Sequence, residues 1–202
     1  NHHTYGSKYT FRGIIDITGT NDIANGKLSS WDSTKTIKLQ VGAYENNYRA
    51  RVNSIRYGGW PGSSSSTDSV VKPKMKIQAI GEENLVYNLT NQYSITEGQV
   101  LETLSGVCDG RSVSVSSGTY TLDDVDAYQL VTSSYADFDG SNIDYKPPPG
   151  TKQVIYEFSF SVNPNHGATG SNSANYNIND NNDFFKMKKK ILPVDDDEEI
   201  AK

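Results

Sequence analysis

Residues 150–162 read GTKQVIYEFSFSV, and their pattern decides the fold class. Val154, Tyr156, Phe158, Phe160 and Val162 occupy alternate positions, with Ile155, Glu157, Ser159 and Ser161 between them. A period of two held over this length predicts a β-strand with one face in a core. Five large side chains on that face make it the strongest core strand of the sequence. Pro147-Pro148-Pro149-Gly150 precedes it. Proline has no N–H to give to a ladder and a fixed φ, so this run is a rigid lead-in rather than part of the strand. Further upstream, Val113 and Val115 alternate with Ser112, Ser114 and Ser116, and Ser117-Gly118 supplies a turn.

The same alternation recurs on the N-terminal side. Tyr9–Ile17 reads as a strand interrupted at Gly13, where a β-bulge is expected. Residues 21–30 are turn-rich. From Lys35 to Ala43, Ile37, Leu39 and Val41 form an apolar face against Thr36, Lys38 and Gln40. Tyr48–Tyr57 reads as one further strand. The loop Gly58–Gly62 and the serine run Ser63–Ser66 follow it. Met75, Ile77 and Ala79 alternate with Lys74, Lys76 and Gln78, ending at Gly81. Residues 82–91 read as a connector, and 163–202 as long polar and charged loops. The latter carry the basic block Lys188–Lys190 and the acidic block Asp195–Glu199. Many short strands with turn signals between them, and no amphipathic helix, predict an all-β sandwich or barrel.

Composition narrows the function classes. In 202 residues, thirteen tyrosines stand against two methionines, which suits pleated sheets better than helix bundles. A net charge of -5 argues against a nucleic-acid groove. No apolar run approaches the roughly 20 residues of a bilayer-spanning helix, so no membrane partner is expected. Cys108 is the single cysteine, so an intrachain disulfide is impossible. The chain opens at Asn1 with no methionine, which reads as a processed, trimmed or rearranged product.

Several segments resemble a known type of protein. VLETLSGVCDGRSVSVSSGTYTL (residues 100–122), the Ile-x-Tyr-x-Pro-Pro stretch from Ile143, and GTKQVIYEFSFSV are similar to uncharacterised structural proteins of marine viruses and viral metagenomes. YTFRGIIDI (9–17), SSWDSTKTIKLQV (29–41) and PKMKIQAIGE (73–82) resemble the other half of the same domain. The resemblance implies a single jelly-roll β-sandwich of the tumour-necrosis-factor or C1q-like kind. It also implies a homotrimer located in the virion, with other virion proteins as partners. Its role would be capsid, vertex or fibre architecture, with host attachment through exposed loops such as Gly58–Ser66 and a host-surface glycan as the ligand. The two halves stand in reverse order relative to that family. A circular permutation, a chain order that is not the genetic one, and a piece spanning two fibre repeats all account for this. A permuted single domain would bring Lys202 close to Asn1.

Candidate chemistry is sparse. Nucleophilic catalysis needs a positioned base, and His2, His3 and His166 lie in polar, loop-like contexts. Cys108 has no basic partner nearby and reads as a buried, inert thiol. Asp137, Asp139, Asn142 and Asp144 group oxygen ligands around Gly140. The glycine is misplaced for an EF-hand, so a solvated turn is the simpler reading; the same holds for Asn177, Asn179, Asp180 and Asp183. No carboxylate pair stands out for glycoside hydrolysis. Asn88-Leu89-Thr90 is a glycosylation sequon, meaningful only on a secretory route. Trp31, Tyr57 and Trp60 are the candidate binding residues. They form either an aromatic platform for sugar, which would make this a carbohydrate-binding module, or core lids or subunit contacts. The expectation is a non-enzymatic protein with no cofactor and no bound metal.

Overall fold

The computed structural model describes residues 3–43, 50–58, 67–81, 84–87, 93–96, 98–163 and 185–193. These residues form eighteen strands and one short 3-10 turn, Ile23–Asn25. The large sheet runs β11 (Val100–Val107), β8 (Lys74–Gly81), β17 (Thr151–Asn163), β2 (Ser7–Ile17) and β3 (Lys27–Leu28). All of these pairs are antiparallel except β2 with β3. β5 (Ala50–Val52) takes over beside β17 at Val162 and Asn163, beyond the last residue that β8 reaches, and β14 (Gln129–Val131) pairs with β5. In the second sheet β4 (Lys35–Ala43) is central. β18 (Phe185–Pro193) lies along one edge, while β15 (Ala136–Asp137) and β16 (Ile143–Tyr145) share the other. Three small assemblies complete the set. They are β1 (His3–Tyr5) with β6 (Ser54–Gly58) and β7 (Thr67–Val70), the pair β9 (Asn84–Tyr87) and β10 (Tyr93–Thr96), and the pair β12 (Ser112–Val115) and β13 (Gly118–Thr121).

The alternation in β17 sets its burial. Val154, Tyr156 and Phe158 are fully buried, and Phe160 and Val162 nearly so. They meet Ile15 from β2, Met75 and Ile77 from β8, and Leu104 from β11 in one hydrophobic cluster. Ile37, Leu39, Val41 and Ile191 from the second sheet enter the same cluster, so the molecule is an all-β sandwich around a shared core. Each such side chain stabilises the fold by roughly 1.5–3 kcal/mol on burial. On the outward face of the large sheet, Glu157 lies between Arg12 (3.6 Å) and Lys76 (3.1 Å), a solvated charge ladder.

One short segment ties the layers together. Between β15 and β16 the chain leaves the edge of β4, and Phe138–Ser141 fills the interruption. The Phe138 ring packs edge-on against Phe158 and Phe160, with centroids 5.1 and 4.7 Å away. Its N–H donates to the Leu39 carbonyl (2.9 Å), and the Ser141 hydroxyl accepts from the Leu39 N–H (3.0 Å). Three consecutive carbonyls then receive side-chain donors from distant parts of the chain. Asn53 Nδ2 donates to Asp139 (3.0 Å), Cys108 Sγ to Gly140 (3.2 Å) and Tyr156 Oη to Ser141 (2.7 Å). Gly140 has φ +86°, and a Cβ there would meet Val125 Cγ2 at 2.6 Å, so only glycine fits.

Several expectations need correction. Gly13 forms no bulge: the β2–β17 register is unbroken, and Gly13 is an inward position opposite Tyr156. The strand expected over Tyr48–Tyr57 is two strands, split at Asn53, whose φ of 57° is left-handed. Asparagine tolerates that conformation, and there its N–H donates to the Ser161 carbonyl at 2.8 Å. Ser161, one of the positions between the apolar ones, is buried, and its carbonyl takes the Asn53 N–H. The hairpin loop is Ser116–Ser117, with Gly118 already opposite Val115. The connector at 82–91 contains β9. The polar region at 163–202 contains β18, whose lysine run lies within a strand pairing with all of β4. Lysine on a strand at a sheet edge discourages pairing with other chains, and it also masks the strand pattern. Asn1 and Lys202, His2, His166, Ser63–Ser66, the Asn88 sequon, residues 177–183 and the acidic block 195–199 lie outside the described residues.

Two substitutions test this core by urea denaturation. Phe158→Ala is expected to cost about 3–5 kcal/mol, and a loss below about 1 kcal/mol would place that face outside the core. Gly140→Ala is expected to cost about 2–4 kcal/mol through backbone strain and overpacking.

Candidate functional site

The strand β11 carries a carboxylate on its inward face. Glu102 shares that face with Leu104 and is only 7% exposed. Two donors serve each of its oxygens. Oε1 accepts from Ser117 Oγ (2.6 Å) and Tyr145 Oη (2.6 Å), and Oε2 from Ser116 Oγ (2.6 Å) and the Ser117 N–H (2.9 Å). The serines are the two loop residues of the β12–β13 hairpin, and Tyr145 ends β16. One carboxylate therefore joins the large sheet, the hairpin and the second sheet. Burial by itself pushes the Glu102 carboxyl up, but the four donors outweigh it and hold it below its ordinary range. Burial first, and then the neighbouring Glu102 carboxylate, push the Tyr145 phenol upward.

From Tyr145 the network continues outward. Its carbonyl accepts from the Trp31 indole N–H (3.1 Å), and the two rings meet edge-to-face with centroids 6.1 Å apart. Tyr120 Oη donates to the Lys146 carbonyl (2.8 Å), and its ring packs on Tyr145 at 5.2 Å. Trp31 is 4% exposed and belongs to the core cluster. Beside it opens a cleft of about 320 Å³ between residues 29–32 and the Lys146–Thr151 lead-in to β17. Ser29, Ser30, Asp32 and Lys146 line it with polar groups, and Pro147–Pro149 and Ile17 with apolar ones.

Of the three aromatic candidates, only Trp31 has its side chain among the described residues. Trp31 is a core residue whose edge reaches the cleft. The Tyr57 backbone lies in β6, while its side chain and Trp60 lie outside the described residues. The acidic group around Gly140 is dispersed. Asp137 accepts from Lys38 (2.8 Å) and Gln40 (3.0 Å), and Asp144 from Thr36 (2.5 Å). Among the described residues no three His, Cys, Asp or Glu side chains are placed to hold a metal ion. Cys108 is fully buried, and its thiol is pushed up to about 12 by burial first and then by the charges of Asp123 and Asp109. It remains protonated at neutral pH.

Sequence reasoning passed over Glu102 and the cleft residues Asp32 and Lys146. A signal for Glu102 was present: in VLETLSGV it falls in phase with Leu104, and an acid on the apolar phase of a strand demands donors inside the core. Nothing comparable marked the cleft, because its walls are about 115 residues apart in the chain, counting from Trp31 to Lys146 (146 − 31). Comparison of the chain with protein-family models, curated proteins and solved structures found no match.

Acid titration tests the Glu102 cluster. A carboxyl held below its unfolded value of 4.5 contributes stability above that pH, and the contribution is lost as pH falls through the folded value. Glu102→Gln is expected to flatten the acid limb of a stability-versus-pH curve measured by urea denaturation. Glu102→Ala, which strands several donors, is expected to cost about 2–4 kcal/mol at neutral pH.

Proposed function

We propose that this chain is a non-enzymatic structural protein of a virion. In this reading it is one copy of an oligomeric jelly-roll sandwich in a capsid, vertex or fibre, with loops available for host attachment. The observation that carries the reading is the placement of the segments on which the resemblance rests. VLETLSGV, PKMKIQAIGE, GTKQVIYEFSFSV and YTFRGIIDI are β11, β8, β17 and β2, four successive neighbours in one sheet. Strands from the two halves alternate there, so a chain in reversed order still assembles one core of the kind the family requires. This favours a permuted single domain over two fibre repeats.

The ionisable groups inside the sandwich support the same reading. All four donor positions around Glu102 are filled by groups that hold strands together, and Cys108 stays a thiol bonded to a backbone carbonyl. These groups are committed to architecture.

Size-exclusion chromatography with light scattering tests the proposal. At micromolar concentration the mass is expected at three times the 22.2 kDa of the chain. A clean monomer would overturn the oligomeric reading.

A further inference from the structure

We propose that the cleft beside Trp31 is a sugar site that takes one neutral pyranose, such as the terminal residue of a glycan. Its volume of about 320 Å³ lies at the lower end of the roughly 300–1,000 Å³ of small-ligand clefts. The chemistry of its walls sets the ligand class. Pro147–Pro149 have no N–H, so that wall offers pyrrolidine faces and carbonyl oxygens. Thr151 takes the Pro148 carbonyl through its N–H (3.3 Å) and hydroxyl (2.7 Å), leaving those of Pro147 and Pro149. A triproline face that accepts but cannot donate, with apolar rings, suits a ligand that combines many O–H donors with a C–H face. A pyranose is such a ligand.

Polar groups at the rim complete the match, Ser29, Ser30 and Asp32 on the facing side and Lys146 at the start of the triproline wall. Among the described residues neither the Asp32 carboxylate nor the Lys146 ammonium has an ion-pair or hydrogen-bond partner. The same is true of the Ser29 and Ser30 hydroxyls. A carboxylate accepts from two vicinal hydroxyls, while an ammonium donates to a ring or hydroxyl oxygen. One negative and one positive group leave the cleft without net charge, which disfavours a phosphorylated ligand. A purely apolar ligand would strand both charges. The floor is fixed in advance: Trp31 is held by Tyr145, and Tyr145 by Glu102, so little ordering cost falls on binding.

Trp31 is also a built-in reporter, because Trp60 is the only other tryptophan. In the full chain carrying Trp60→Phe, the indole N–H signal of Trp31 is followed by NMR. The probes are the methyl glycosides of glucose, galactose, mannose and N-acetylglucosamine, with glucose 6-phosphate as the charged control. At least one glycoside is expected to shift the signal saturably. Asp32→Asn and Lys146→Gln, both exposed and nearly isosteric, are each expected to weaken that binding about tenfold with unchanged melting temperature. The proposal is overturned if no glycoside gives a saturable shift, if both variants bind as well as the parent, or if only glucose 6-phosphate binds. Oligomeric mass is unaffected by any of these results, so the sugar site and the virion role fail separately.

Discussion

A sandwich needs its two sheets to be held in one register, and in this protein that constraint falls on Phe138–Ser141. Here the edge of β4 loses its partner strand, and the Ser141 hydroxyl and the Phe138 N–H take over the bonding of Leu39. The segment meanwhile turns its carbonyls toward the other layer, where Asn53, Cys108 and Tyr156 donate to them. The Phe138 ring occupies the space between β4 and the aromatic face of β17. An unpaired backbone group in such an interior costs about 1–3 kcal/mol, so satisfying these together fixes the sheets more firmly than apolar contact would. The single thiol of the chain is used as a donor in this lattice, which accounts for a cysteine where no disulfide is possible.

The second organising group is the Glu102 carboxylate. A buried charge without a cation is tolerated because four short hydrogen bonds replace its water. Its partners come from two elements, the β12–β13 hairpin and β16, and it stands on a third, so the charge acts as a junction rather than as a reactive group. The junction also has an outward consequence. Tyr145 passes its orientation to Trp31, and Trp31 forms the inner edge of the surface cleft. The rigidity of the cleft derives from a carboxylate in the core.

A chain whose two halves stood in either order could build this architecture. Each strand of the large sheet finds its neighbour through side-chain alternation and ladder bonds, and β17 is flanked on both sides by strands from the N-terminal half. Such a sheet does not depend on which half is made first. The resemblance to viral jelly-roll proteins carries only a proposal about role, while the all-β sandwich stands on the structure itself.

What the sequence determined by itself was local. The period-two runs in residues 154–162, 37–41 and 75–79 specify which side chains face the core, and burial follows them with the exception of Ser161. They are legible because a strand's two faces are set by the pleat alone. Where a residue answers to a distant partner, the pattern was silent or misleading. Asn53 breaks a strand because the Ser161 carbonyl needs its N–H, and Gly13 keeps its ladder because Tyr156 lies opposite. The lysine run of β18 becomes a strand because β4 offers a free edge. Asp32 and Lys146 become walls of one cleft only when β16 and the lead-in to β17 bring the triproline beside Trp31. Those outcomes belong to tertiary structure, since hydrogen-bond partners and cavities arise between segments that the chain order keeps far apart.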